Sequence, residues 1–181
     1  MNLATIQDAI FDWTVASTGL AGNVVTWRDQ NDPAPVAAHV ALHLSGPIVL
    51  GQDAQTTAYD PLAAPGQEIT LGVEGDRELG LRVEFYTPDT ASATDALARA
   101  ANFLTACQLP TKREILRAAG LSLIDLGRPD YVPSIQEVEF QGRAFVDMRL
   151  YTRDLASERT GLIESVELTN LDTGGVFTAP P

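Results

Sequence analysis

A single cysteine, Cys107, stands in a chain of 181 residues. One thiol can form no intramolecular disulfide and supplies no cysteine-based zinc site. Cys107 closes a helix-like apolar pattern, which predicts a buried, inert thiol. Aromatic residues make up only 7% of the chain, and 12 bases face 24 acids. A net charge of −12 without a basic, aromatic-rich patch argues against nucleic-acid readout and against an acidic membrane surface. No apolar run approaches the ~20 residues of a membrane-spanning helix, and no N-terminal stretch has the form of a signal peptide. These absences predict a soluble product of a reducing cytosol.

Signatures of chemistry are missing as well. There is no G-x-S-x-G and no cysteine with a local activating partner. Gly72, Gly75 and Gly80 form no phosphate loop, lacking the Lys-Ser/Thr ending and a following helix. His39 and His43 stand four apart, but Val40 occupies the place of the H-E-x-x-H glutamate. On a strand the two would lie on one face about 13 Å apart at ~3.3 Å per residue, too far to share a metal. Asp29, Asn31 and Asp32 resemble the start of an EF-hand loop, yet Pro33 and the lack of a correctly placed glycine and glutamate break the pattern. Glu137 and Glu139 share a strand face, which a solvated sheet edge explains without acid–base work. No catalytic, cofactor or metal site is expected.

What the chain does have is 45% hydrophobic residues in readable patterns, enough for a real core. Leu3, Ile6, Ile10 and Trp13 recur at helical spacing ahead of Gly19 and Gly22, predicting an amphipathic first helix. "NVVTWR" and "VAAHVALHLSG" read as strands. Residues 46–66, with three prolines and little periodicity, predict a long functional loop. "EITLGVEGDRELGLRVEFYT" alternates on both sides of Gly75-Asp76 and predicts a β-hairpin turning there. Ala93, Leu97, Ala100, Leu104 and Cys107 mark a second helix. Pro110, Thr111 and Glu114 open a third, with Thr-x-x-Glu as a capping box and Gly120 as its stop.

The remainder is again strand-like. "LSLIDLG" is a short run, "SIQEVEF" alternates, and Gln141-Gly142 can turn into "RAFVDMRLYTR", where Ala144, Val146, Met148 and Leu150 share a face. "GLIESVELTNL" supplies a last strand. Helices and strands segregated in this order predict an α+β fold, a mainly antiparallel sheet with helices packed against it. The expected organisation is one domain over residues 1–171 and a flexible or partner-docked tail over 172–181.

Charge is distributed unevenly. Asp29, Asp32, Asp53, Asp60, Glu68, Glu74 and Asp76 fall in a stretch without Lys or Arg. Arg99, Lys112, Arg113, Arg117 and Arg128 then outweigh Glu114 and Asp125. Such asymmetry suits head-to-tail contact between copies, and equally suits two unrelated solvated surfaces. Between two strands lies "TWRDQNDPAP". Pro33 and Pro35 stiffen it, Asp29, Asn31 and Asp32 are turn formers, and Trp27 offers a large apolar area. It reads as a rigid elbow: either a well-tied local turn or a contact patch built on Trp27, Asp29, Gln30, Asp32, Pro33 and Pro35. Arg113 and Arg117, four apart on the third helix, are candidate partners for a neighbour's acidic segment.

The helix ending "IFDWTV", the strand ending "VVTWRDQNDPAP" and the run into "HVALHL" resemble the neck and tail terminator proteins of tailed bacteriophages. The later order, with "FL" in a helix, "RAFVDMRLYTR" and "GLIESVEL", extends the resemblance from Leu3 to about Leu171. The chain departs from that family's pattern in carrying His39 where an aromatic is expected. The resemblance implies a structural virion protein, not an enzyme. It implies a homo-oligomeric ring, typically of six copies, at the head-proximal end of the tail. Such a ring terminates the tail tube, contacts tube and sheath subunits and docks the connector or adaptor proteins of the neck. DNA passes through it without specific binding, assembly takes place in the host cytoplasm, and no membrane is involved. Two other roles stay open: a head–tail connector or adaptor subunit, and a small metal- or ligand-binding α+β domain.

Overall fold

The computed structural model of the chain describes residues 2–28, 38–64, 66–88, 93–132, 134–136, 139–161, 166–169 and 176–179. It opens with helix α1, Leu3–Thr18. Asn2 caps it, its Oδ1 accepting from the backbone N–H of Ala4 at 3.1 Å and of Thr5 at 3.4 Å. Gly19, in the left-handed region with φ 67°, ends it. Ile6, Ile10, Trp13, Thr14 and Ser17 form the buried stripe, while Leu3 stays exposed.

After a single 3-10 turn come strands β1, Val25–Trp27, β2, His39–Tyr59, and β3, Ile69–Thr87. Helices α2, Ala93–Cys107, and α3, Pro110–Ala118, follow. Strands β4, Leu121–Tyr131, β5, Ser134–Gln136, and β6, Glu139–Thr160, complete the sheet, whose order is β1-β2-β3-β6-β4 with β5 pairing β6. β1 runs parallel to β2, and β4 and β5 run antiparallel to β6. The fold is thus the expected α+β, a mainly antiparallel sheet with helices packed on it.

The chain divides into two compact units, residues 1–51 with 76–154 and residues 52–75 with 155–181. The first contains the core. Leu79, Leu81, Val83 and Phe85 of β3 and Ala144, Val146, Met148 and Leu150 of β6 turn one sheet face inward. α1 packs against α2 and α3, and both of those pack against β4. Phe103 links the layers: its ring meets Trp13 edge-on at 5.3 Å and Phe85 at 5.4 Å. The other sheet face carries cross-strand ion pairs. Arg82 donates to both carboxylate oxygens of Asp147 at 2.7 and 2.8 Å, and Arg149 reaches Asp125 at 3.2 Å and Glu78 at 3.6 Å.

The second unit is built differently. It holds the ends of β2, β3 and β6, and a two-stranded sheet of β7, Val166–Thr169, with β8, Val176–Ala179. Among its residues with described side chains only Gly75 is buried. Eight acids (Asp53, Asp60, Glu68, Glu74, Glu158, Glu164, Glu167, Asp172) face one base, Arg159.

Several local expectations are corrected. Residues 46–59 are strand, not loop, and only 60–68 connects β2 to β3. Pro47, Gly46 and Gly51 disguise the strand. β2 takes eleven steps from Ser45, which lies against Gly80, to Thr56, which lies against Gly72, while β3 takes eight, so three extra residues bulge out. Gly46 sits there at φ 102°, a backbone shape that side chains resist.

Gly75-Asp76 makes no turn, because β3 runs straight through it. Ile69, Leu71, Val73, Leu79, Leu81, Val83 and Phe85 all keep one parity, which a two-residue turn has no need to preserve. Gln141-Gly142 makes no turn either, since the Gln136↔Glu139 pairing sets the reversal earlier. Gly142 is instead demanded by close approach: a Cβ there would run into the Thr87 hydroxyl.

α3 begins at Pro110, capped by Leu109 without a side-chain bond, so the Thr111–Glu114 box does not form. The buried row of α2 is Ala96, Ala100, Phe103 and Cys107, with Leu97 and Leu104 half-buried at its margin. Phe103, the largest side chain, takes the centre. In the expected tail, residues 176–179 form a strand paired to β7.

Candidate assembly interface

Of the expected elbow residues, Asp29, Gln30, Asp32, Pro33 and Pro35 lie outside the described residues. Both flanks of the elbow are described, and they converge. Trp27 pairs with Leu42 in the β1–β2 ladder and packs half-buried against the core. Arg28 donates its backbone N–H to the Leu42 carbonyl at 2.8 Å, and its Nη1 reaches Glu84 Oε1 at 3.2 Å. At the far end, the buried His39 ring stacks on Tyr86, 4.6 Å between centroids and 9° from parallel. His39 therefore fills an aromatic's place. Tyr86 in turn donates its hydroxyl to Glu84 Oε2 at 2.6 Å.

Glu84 is the hub. Its side chain is fully buried and also accepts from Arg143 Nη2 at 2.5 Å. Burial on its own would raise this carboxyl. The hydrogen bonds from Tyr86 and Arg143, with the charges of Arg143 and Arg28, outweigh burial and hold Glu84 below its ordinary 4.5. Burial first, then the bond to Glu84, pushes Tyr86 up to about 12. Near neutral pH the cluster is a carboxylate, a neutral phenol and two guanidinium cations. Both carboxylate oxygens are engaged, so the arrangement ties chain segments together and offers no open general base.

Arg113 and Arg117 sit elsewhere, beside β4 at the opposite edge of the sheet from β1. Arg113 Nε donates to the Cys107 carbonyl at 3.4 Å, and Arg117 makes a 3.5 Å contact with Glu114 in which both side chains are exposed. Between them opens a small cleft of about 70 Å³ lined by Arg113, Leu116, Arg117, Leu121, Ser122 and Leu123. The elbow flanks and the two arginines thus form two separate surfaces, not one site. Cys107 lies fully buried, its thiol pushed up to about 12 chiefly by burial.

Glu84 is absent from the residues that the sequence patterns single out, although the sequence carries one signal of it. It is the acid inside "LRVEFY", the most apolar stretch of β3. A carboxylate in such company needs a partner of opposite charge. Among the described residues no group of three or more His, Cys, Asp and Glu side chains could hold a metal ion, and no helix is long and apolar enough to cross a membrane.

A family model described as phage neck terminator protein matches residues 4–176, nearly the whole chain. The chain belongs to the phage neck terminator family. Membership assigns it a structural role at the phage neck, and so a place in the virion. No curated protein matches the chain.

Proposed function

We propose that this neck terminator forms a closed ring, typically of six copies, at the head-proximal end of the phage tail. There it ends the tail tube and joins it to the connector of the neck, without catalysing a reaction. The match to the neck terminator family over residues 4–176 carries this reading. The separation of the Trp27 elbow from the Arg113–Arg117 cleft supports it, since a heterologous ring places unlike surfaces against each other. The elbow, with Gln30, Asp32, Pro33 and Pro35, is its contact patch, held at both flanks through Glu84. A net charge of −12 also suits a channel wall that passes DNA without retaining it.

The test is genetic and visual. Particles assembled without this chain are imaged by electron microscopy. The reading expects heads and tails left unjoined, with tails of uneven length. Joined particles with tails of normal length would overturn it.

A further inference from the structure

The second unit is an unusual piece of protein. Its strand ends expose Tyr59, Leu71, Val73 and Leu155, and the connection between β2 and β3 exposes Leu62, 93% accessible. Sheet segments left uncovered in this way do not bury enough apolar surface to be stable alone. The same unit carries eight carboxylates against Arg159. Among its described side chains, the exposed Asp60 and Glu158 set carboxylates beside these large apolar groups.

The α3–β4 edge of the first unit offers the complement. The cleft there has a leucine floor of Leu116, Leu121 and Leu123, a volume of about 70 Å³ that suits one apolar side chain, and guanidinium groups at Arg113 and Arg117. Among the described residues the Arg117 guanidinium meets an exposed glutamate at 3.5 Å, a contact that costs little to exchange. β4 is also the last strand of the sheet among the described residues. Register shifts after Leu123 and after Leu126, and Pro129, blunt its later part, but Leu121–Leu123 beside the cleft is regular.

We infer that the Arg113–Arg117 cleft receives an acidic, apolar segment of the second unit from another copy of this chain. This rests on the ring reading and names one pair of faces in the ring, in addition to the contact patch at the elbow. Carboxylates such as Asp60 and Glu158 meet the guanidinium groups, and an apolar neighbour such as Tyr59, Leu62 or Leu155 enters the cleft. The contact is heterologous, so it repeats from copy to copy without using up either face.

Four proteins test it: wild type, Arg113→Glu with Arg117→Glu, Asp60→Lys with Glu158→Lys, and all four changes together. Each is followed by sedimentation velocity over a concentration series at low salt, with thermal melts to confirm folding. Each pair of reversals should raise the concentration needed for assembly by about tenfold or more, and the combined variant should recover most of the loss. Arg117→Gln alone, at an exposed position, should weaken assembly in the same direction if the double change disturbs α3. Variants that assemble like wild type overturn the pairing of faces and leave the ring reading standing. Reversals that spare self-assembly but abolish co-sedimentation with the tail-tube subunit make the tube the occupant, and also overturn it. A wild type that assembles neither alone nor in particles overturns the ring itself.

Discussion

Arg143 of β6 donates from Nη2 to Glu84 of β3 at 2.5 Å, across 59 positions of sequence. Arg28 and Tyr86 complete the carboxylate's shell, so one buried side chain fastens the first flank of the elbow, its far flank through the Tyr86–His39 stack, and two central strands. The consequences can be measured.

Replacing Glu84 with Gln keeps the shape and removes the charge, leaving Arg143 and Arg28 facing a neutral amide. Breaking a buried ion pair from one side is expensive, although Arg143 retains some access to water. A loss of about 2–4 kcal/mol is expected, read as a lower denaturation midpoint with an unchanged slope.

The pH dependence has a definite sign. A carboxyl held below its ordinary 4.5 in the folded state adds stability that is fully present above that value. The contribution disappears as pH falls through the lowered value, where Glu84 takes up a proton. Denaturation curves should therefore show the wild-type chain losing stability below about pH 4.5 more steeply than Glu84→Gln, with the two converging at the acid end. Parallel curves would contradict the assignment.

Cys107 should be silent in the native protein. Its thiol is fully buried and pushed up to about 12, so little thiolate exists at pH 8 and reagent has no path to it. Alkylation followed by mass spectrometry should show negligible labelling until denaturant unfolds the chain, then rapid labelling of one site.

Leu62 separates folding from assembly. At 93% exposure it contributes little to the isolated chain, so Leu62→Ser should change stability by no more than about 0.5 kcal/mol. The same substitution should weaken self-association if the second unit is covered by another copy.

Much of the fold was legible because period and burial coincide. α1 declared itself through Ile6, Ile10 and Trp13, and the inward face of β6 through Ala144, Val146, Met148 and Leu150. β2 was hidden because its outer half has no buried face to impose alternation, and Gly46, Pro47 and Gly51 punctuate it like a loop. β3 was misread as a hairpin because Gly75-Asp76 has turn composition, while the unbroken parity across it was the stronger signal.

The elbow was readable as a local device, but its fastening was not. Glu84, Arg28 and Arg143 are brought together only by strand order, which no spacing along the chain reveals. Arg113 and Arg117 were visible as a helical pair, whereas the leucine-floored cleft between them exists only once α3 lies against β4.

The most direct measurement is the mass of the purified chain in solution across a wide concentration range. A subunit of 19.4 kDa that works as a ring should give one discrete species at a fixed multiple of that mass, with no larger open series. A species that stays at 19.4 kDa throughout, paired with a neck in which the chain occurs as a single copy, would contradict the account.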